Sequence, residues 1–478
     1  MTADAAHLNA PSADFLAALR DRLGPQGLRE GDAAAPYLRE PRDTSQGQAA
    51  LVVRPGSVED VAHVVRECSA ARVPLVPYGG GTGLVGAQVR PEGPPCILLS
   101  VERLNRVRAL HPDDDAMICE AGVILADAQA AAASVDRLFP LSIASEGTAR
   151  IGGVLGTNAG GVNVLRYGMT RDLCLGIEAV LPDGSVFNGL KRLRKDNTGY
   201  DLRHLLIGAE GTLGVITAAA LRLHPRPAEV AAAFVAVPSP AAALDLLHLL
   251  RGRVGEQVSA FELLQGSGIR FCLDEIPGAR CPLDTVPEWS ALVEVGGGAG
   301  SGAAEALEAA LEEAFEKGLA LDGALAQSEQ QRNDFWRLRE TIPEANRKIG
   351  SIASHDISAP LSEVAAFVEA ASARLLQEAP DIRINAFGHL GDGNLHYNLF
   401  PAKGRRREDY ANLKPVLTRI VHDLIDAHGG SISAEHGIGR FKTADLAHYG
   451  DPAKLAAMRA IKAALDPAGI MNPGAVLG

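Results

Sequence analysis

Two histidines, His389 and His396, stand within Ile384-Asn-Ala-Phe-Gly-His-Leu-Gly-Asp-Gly-Asn-Leu-His-Tyr-Asn-Leu399. Apolar residues alternate on both sides of Gly391-Asp392-Gly393-Asn394, which predicts a β-hairpin. With those residues as the loop, Leu390 faces Leu395 and His389 faces His396. Directly opposed residues have Cβ atoms roughly 5 Å apart on one sheet face. The period of two puts Phe387 and Asn398 on that face as well. Paired imidazoles offer nitrogen ligands to a metal ion, and a carboxylate is the usual third partner. Ser433-Ala-Glu-His-Gly-Ile-Gly439 supplies one, Glu435, beside His436. The other reading is a solvated histidine pair; the glycine-locked turn and the second motif favour the metal site.

Three loops of small residues come earlier in the chain. Leu51-Val-Val-Arg54 reads as a strand. Ser57 and Asp60 resemble a capping box opening a helix whose apolar stripe is Val61, Val64, Val65 and Cys68. A second strand, Val73–Val76, leads into Pro77-Tyr-Gly-Gly-Gly-Thr-Gly-Leu-Val-Gly86. Gly81-Thr-Gly-Leu-Val-Gly86 is a literal GxGxxG, but that dinucleotide motif must open a helix. Pro91, Gly93, Pro94 and Pro95 prevent one, and the next ordered segment is a strand, Cys96–Leu99. What remains is a loop of free backbone N–H groups able to wrap an anion. Residues 145–161 and 207–216 form two further loops of this kind, and three together suggest a long cofactor lying on exposed backbone. Three purely structural turns are the alternative.

The elements positioning these motifs fall into two α+β halves divided near Pro225-Arg-Pro227. Residues 1–11 read as disordered, with Ser12 capping a helix through Arg22. Past the boundary, strands Phe234–Val237, Ser290–Val295 and Ile352–Ile357 alternate with helices at 240–251, 302–318, 328–348, 361–377 and 408–428. This pattern suggests an antiparallel sheet with helices on one face. The tail forms a helix from Pro452 to Asp466-Pro467 and closes with Met471-Asn-Pro-Gly474.

At 478 residues the chain has ample core for two or three domains. A net charge of −12 argues against a nucleic-acid partner. No apolar run is long enough for a transmembrane segment. No basic, apolar or acid-poor leader appears, and the six cysteines lack CxxC spacing, so a cytoplasmic location is expected.

With these motifs in order, residues 40–478 resemble the flavin-dependent D-2-hydroxy acid dehydrogenases of the vanillyl-alcohol-oxidase superfamily. That family includes D-lactate and D-2-hydroxyglutarate dehydrogenases and the D-subunit of glycolate oxidase. The resemblance rests on Gly79-Gly-Gly-Thr-Gly83, Gly152-Gly153 with Thr157-Asn-Ala-Gly-Gly161, and Gly208-Ala-Glu-Gly-Thr-Leu-Gly214. It continues through Gly388-His-Leu-Gly-Asp-Gly-Asn-Leu-His396, Glu435-His-Gly437 and Asn472-Pro-Gly474. It implies an α+β fold with a two-subdomain FAD-binding domain (48–226) after an N-terminal helix and linker (1–47). A substrate- and metal-binding cap with an antiparallel sheet (227–440) and a C-terminal helical segment (441–478) follow.

The resemblance further implies FAD held by Pro77, Gly79, Gly80, Gly81, Thr82, Gly83 and Leu84 at its pyrophosphate. Ser145, Thr148, Gly152, Gly153, Thr157, Asn158 and Gly161 would lie near the isoalloxazine, with Glu210, Gly211, Gly214, Ile216 and Asn472 completing the site. Covalent relatives carry a histidine in or near the first loop; none stands between Gly79 and Gly86, so non-covalent FAD is expected. The family's metal triad maps onto His389, His396 and Glu435, with zinc as the expected ion and manganese also suited to such ligands. Asn398 maps onto a substrate contact, His436 onto the base, and Arg339 onto the arginine that grips carboxylate. A helix-surface ion pair is the other reading of Arg339.

The implied reaction is metal-assisted deprotonation of the α-hydroxyl with hydride transfer to flavin N5. Pro343, Ser354 and Ala475 depart from the family pattern, and the first two weaken a second-carboxylate clamp. D-2-hydroxyglutarate is slightly favoured as substrate, a D-lactate or glycolate-type acid being the alternative. A non-catalytic flavin subunit of an electron-transfer complex is a further alternative, one that predicts a broken metal or base set. The electron acceptor is expected to be a quinone, a cytochrome or an electron-transfer flavoprotein, and a homodimer is the default assembly.

Overall fold

The computed structural model describes residues 7–42 and 45–478. The chain divides into two compact units. One comprises Met1–Gly160, Met169–Pro225 and Glu435–Gly478; the other comprises Gly161–Gly168 and Arg226–Ala434.

The first unit contains a four-stranded sheet in the order Leu28–Arg29, Ala49–Val53, Cys96–Ser100, Leu75–Tyr78. The last three run parallel, and parallel strands must be buried on both sides. The helix Val58–Ala71 supplies the cover. Ser57 Oγ accepts the Asp60 N–H at its start, and Val61, Val64, Val65 and Cys68 all lie in the core. A five-stranded antiparallel sheet follows in the order Val107–His111, Ala116–Glu120, Val215–Arg222, Cys174–Val180, Val186–Asn188.

The tail returns to this unit. Helix Pro452–Leu465, capped by the Asp451 carboxylate, leads to Met471, which bridges in parallel to Leu75. The expectation of disorder over 1–11 fails for the part described. Asn9 bonds the carbonyls of Ala71 and Arg72, and Leu8 packs on the core. Residues 1–6 lie outside the described residues.

The second unit is built on a seven-stranded sheet. Its order is Asp322–Leu325, Glu229–Val237, Trp289–Gly297, Val258–Gln265, Arg383–Gly388, Asn394–Phe400, Ala353–Ser358, and every pairing is antiparallel. The strand Val258–Gln265, absent from the sequence reading, lies at the middle of this order.

Helices cover both faces, not the single face expected. Helices Gly266–Glu275 and Glu329–Ile349 pack Phe271, Phe335 and Leu338 against Phe234, Leu264 and Phe387. Tyr397 points to the opposite face and meets Phe367 and Ser372 of helix Val364–Glu378. The reason is visible in the central strands: Val258–Gln265 and Trp289–Gly297 are buried nearly throughout, so neither face tolerates water.

Candidate active site

The hairpin exists, but its register is shifted by two residues from the one expected. Phe387, not His389, pairs with His396, and Asn385 pairs with Asn398. His389 has already left the strand, and Leu390–Asp392 form a 3₁₀ turn closed by Gly393 at φ 83°. A side chain at Gly388 would put its Cβ 2.5 Å from the Asn394 carbonyl oxygen, so this corner is shaped for glycine. Because the error is even, the face is unchanged. His396, Asn398, Phe387 and Asn385 share one side, joined by Ser354 and Asp356 opposite Asn398 and His396. The two imidazoles still meet edge to face, with ring centroids 5.7 Å apart.

Glu262, absent from the sequence reading, ties this side together. It is wholly buried in the Val258–Gln265 strand. Its Oε1 lies 2.6 Å from His389 Nδ1, and its Oε2 accepts a 2.6 Å hydrogen bond from Arg339 Nε. Burial pushes this carboxyl up, but the charges and hydrogen bonds of Arg339 and His389 outweigh that and hold it down to about 2.

Arg339 is thus no surface ion pair. It is 5% exposed, its Cζ sits 5.0 Å from the Phe387 ring centre, and among the described residues neither Nη meets an acceptor. Pro343, inside the same helix, has no N–H to offer the Arg339 carbonyl one turn back. Asp356, also missed from sequence, accepts from Asn394 Nδ2 at 3.0 Å and lies 3.9 Å from His396 Nδ1.

In the first unit the glycine loops converge. A Cβ on Gly79 would come 2.9 Å from Gly153 Cα, and one on Gly80 would come 3.0 Å from Ala149 Cα, next to Thr148. Pro77 packs where a Gly211 side chain would stand, and Gly152 fits against Ala121. Ser145 turns the 145–149 segment by accepting the Thr148 and Ala149 N–H groups. The backbone N–H groups of residues 79–84 donate to no acceptor among the described residues. A run of unsatisfied, half-buried N–H groups is the donor chemistry that a pyrophosphate requires, so the loop fits FAD.

Other expected cofactor residues use their side chains inwardly. Thr157 Oγ1 donates to Gly153 O, and Asn158 Oδ1 accepts the Arg171 N–H. Gly214 and Ile216 open the Val215–Arg222 strand, whereas Gly161 begins the short segment counted with the second unit.

Glu210 and Asn472 hold protein rather than open space. The Glu210 carboxylate accepts the N–H groups of Ile438 and Gly439, both at 2.8 Å. Burial pushes this carboxyl up, and those N–H groups pull against the rise. Asn472 donates to the carbonyls of Glu210 and Ala87, and its Oδ1 accepts from Arg440. The loop after Glu435 and His436 is thereby pinned from both sides. Glu435 Oε1 and His436 Nε2 lie 3.8 Å apart.

Comparisons with known proteins identify the family. Residues 49–189 match the family described as "FAD binding domain", and residues 226–476 match "FAD linked oxidases, C-terminal domain". The chain is 36% identical over 432 residues to the mitochondrial D-2-hydroxyglutarate dehydrogenase of Arabidopsis thaliana, covering 90% of this chain and 76% of that one. It is 37% identical over 464 residues to the mitochondrial D-2-hydroxyglutarate dehydrogenase of Bos taurus, covering 97% and 83%. Among solved structures, 4-ethylphenol oxidase from Gulosibacter chungangensis shares the fold, with a TM-score of 0.73 at 19% identity over 98% of both chains. The chain is an FAD-dependent oxidoreductase that belongs to the FAD-linked oxidases and, within them, to the D-2-hydroxy acid dehydrogenases.

Proposed function

We propose that the substrate is D-2-hydroxyglutarate, oxidised to its 2-oxo acid, and that His389, His396 and Glu435 hold a divalent metal, zinc by preference. The observation that carries the reading is the buried Arg339–Glu262–His389 array beside His396 and Asn398. A buried arginine near two imidazoles, in a chain whose relatives bear that substrate in their names, supports a carboxylate grip next to metal ligands. FAD supplies the hydride acceptor and the metal a Lewis acid that favours the ionised α-hydroxyl.

The protein's own residues do the rest. Arg339 offers two Nη groups to a substrate carboxylate, a geometry suited to a bidentate bond. Asn398 reaches the same side of the sheet and orients the acid. His436 takes the proton from the α-hydroxyl oxygen, a role matched to imidazole near neutral pH. The N–H groups of residues 79–84 hold the cofactor's pyrophosphate.

One observation favours a smaller acid. Ser354, directly across from Asn398, is uncharged and hydrogen-bonds to Ser351, and the Pro343 side chain has no polar atom to offer. A D-lactate-type monocarboxylate needs no second cation.

Anaerobic bleaching of the flavin's visible band decides between them. Rapid bleaching by D-2-hydroxyglutarate, lost on chelation and restored by Zn²⁺, is expected. Bleaching by D-lactate alone would move the substrate to the monocarboxylates, and bleaching indifferent to chelator would remove the metal from the reading.

A further inference from the structure

We infer that Glu262 is a positioning residue whose single carboxylate sets both the metal-facing nitrogen of His389 and the substrate-facing edge of Arg339, an inference that rests on the roles proposed above. A carboxylate can only accept hydrogen bonds. With Oε1 2.6 Å from His389 Nδ1, that nitrogen keeps its hydrogen in either charge state, so the neutral ring that binds a metal ion presents its lone pair on Nε2. With Oε2 2.6 Å from Arg339 Nε, the guanidinium is anchored through that nitrogen, and both Nη groups are left without an acceptor among the described residues. The Phe387 ring, 5.0 Å from Cζ, backs the guanidinium plane.

The carboxylate itself cannot drift. Glu262 pairs with Leu292 on one neighbouring strand, while the next two residues, Leu263 and Leu264, pair with Gly388 and Phe387 on the other. Two groups on different elements, a loop histidine and a helix arginine, are therefore referenced to one point in the centre of the sheet.

Only glutamate serves here. Glutamine has one acceptor oxygen and one NH₂, so it satisfies one of the two donors facing it and opposes the other. If Arg339 keeps the oxygen, the amide NH₂ drives the His389 hydrogen to Nε2 and blocks the metal. If His389 keeps it, Arg339 loses its anchor. Aspartate is one methylene shorter and cannot span both.

The test uses the purified flavin-containing protein after chelation, titrated calorimetrically with Zn²⁺ alone, in wild type, E262Q and H389A, with KM and kcat measured in parallel. E262Q is expected to weaken Zn²⁺ binding about 10–100-fold and to raise KM about tenfold or more, with flavin content unchanged. If H389A loses Zn²⁺ while E262Q binds it as wild type does, the inference about Glu262 is overturned and the metal site stands. If H389A also binds normally, the proposed metal site itself fails. Should E262Q not fold, the wild-type protein answers by ¹⁵N-histidine NMR, with H389N assigning the signal. Hydrogen on Nδ1 of metal-free His389 supports the inference, and hydrogen on Nε2 overturns it.

Discussion

At the residue scale, the assignment of His436 as base makes the sharpest demand on chemistry. His436→Ala removes proton acceptance and leaves Arg339, Glu262 and His389 in the chain, so substrate still binds while flavin reduction slows about 10²–10⁴-fold. Stopped-flow bleaching measures this directly, and an unchanged rate would place the base elsewhere. The histidines and the glycine loops were legible because their types are unusual in their settings: imidazoles around a Gly-Asp-Gly turn, and chains of residues without side chains. Arg339 came only from the family resemblance, since an arginine in a polar helix reads as a surface residue. Glu262 was not legible. It is one acid in Val258-Ser-Ala-Phe-Glu-Leu-Leu-Gln265, and a lone charge in an apolar run reads as a solvent-facing residue until its two buried donors are known. The signal available was the run itself: alternation places Glu262 with Ala260 and Leu264, residues that belong inside. Glu210 and Asn472 were expected at the cofactor from the resemblance; their side chains clamp the 438–439 and 87 backbone, bonds between segments far apart in the chain that no sequence pattern shows.

At the element scale, the hairpin shows what sequence pattern fixes and what turn geometry decides. Alternation selected the face, whereas the register depended on a 3₁₀ turn at Leu390–Asp392 that alternation does not encode. Gly393 adopts φ 83° beneath the Ala359 carbonyl, so Gly393→Ala incurs both strain and a clash. A loss of about 1–3 kcal/mol is expected in denaturant unfolding, and a neutral result would show that the corner relaxes.

The five-stranded sheet of the first unit makes a separate prediction. Glu120 is buried beside Arg106 and Arg108; burial pushes its carboxyl up, but the arginine hydrogen bonds and charges hold it below its ordinary value. A depressed acid contributes stability above its unfolded pKa of about 4.3 and loses it as pH falls below that. Thermal melts from about pH 6 to about pH 3 should therefore fall more steeply for wild type than for Glu120→Gln. Equal slopes would mean that these arginines do not stabilise the ionised form.

At the scale of the whole molecule, the two units divide the chemistry. The N–H-rich loop belongs to the first unit, and Arg339, Glu262, His389, His396 and Asn398 belong to the second. Glu435 and His436, the proposed carboxylate ligand and base, open the last segment of the first unit. This division predicts that flavin retention and hydroxy-acid binding separate under mutation. Gly80→Val places a branched side chain against Thr148 and Ala149, in the loop proposed to bring bare backbone near the cofactor's pyrophosphate. The variant should purify with at least about tenfold less flavin, since a displaced loop loses several charge-assisted hydrogen bonds at once. Arg339→Ala, altering only the second unit, should retain the wild-type flavin absorbance per protein while its KM for the hydroxy acid rises about tenfold or more. Loss of flavin from Arg339→Ala would show that the substrate array also supports the cofactor, and full flavin in Gly80→Val would show that the pyrophosphate lies on another loop.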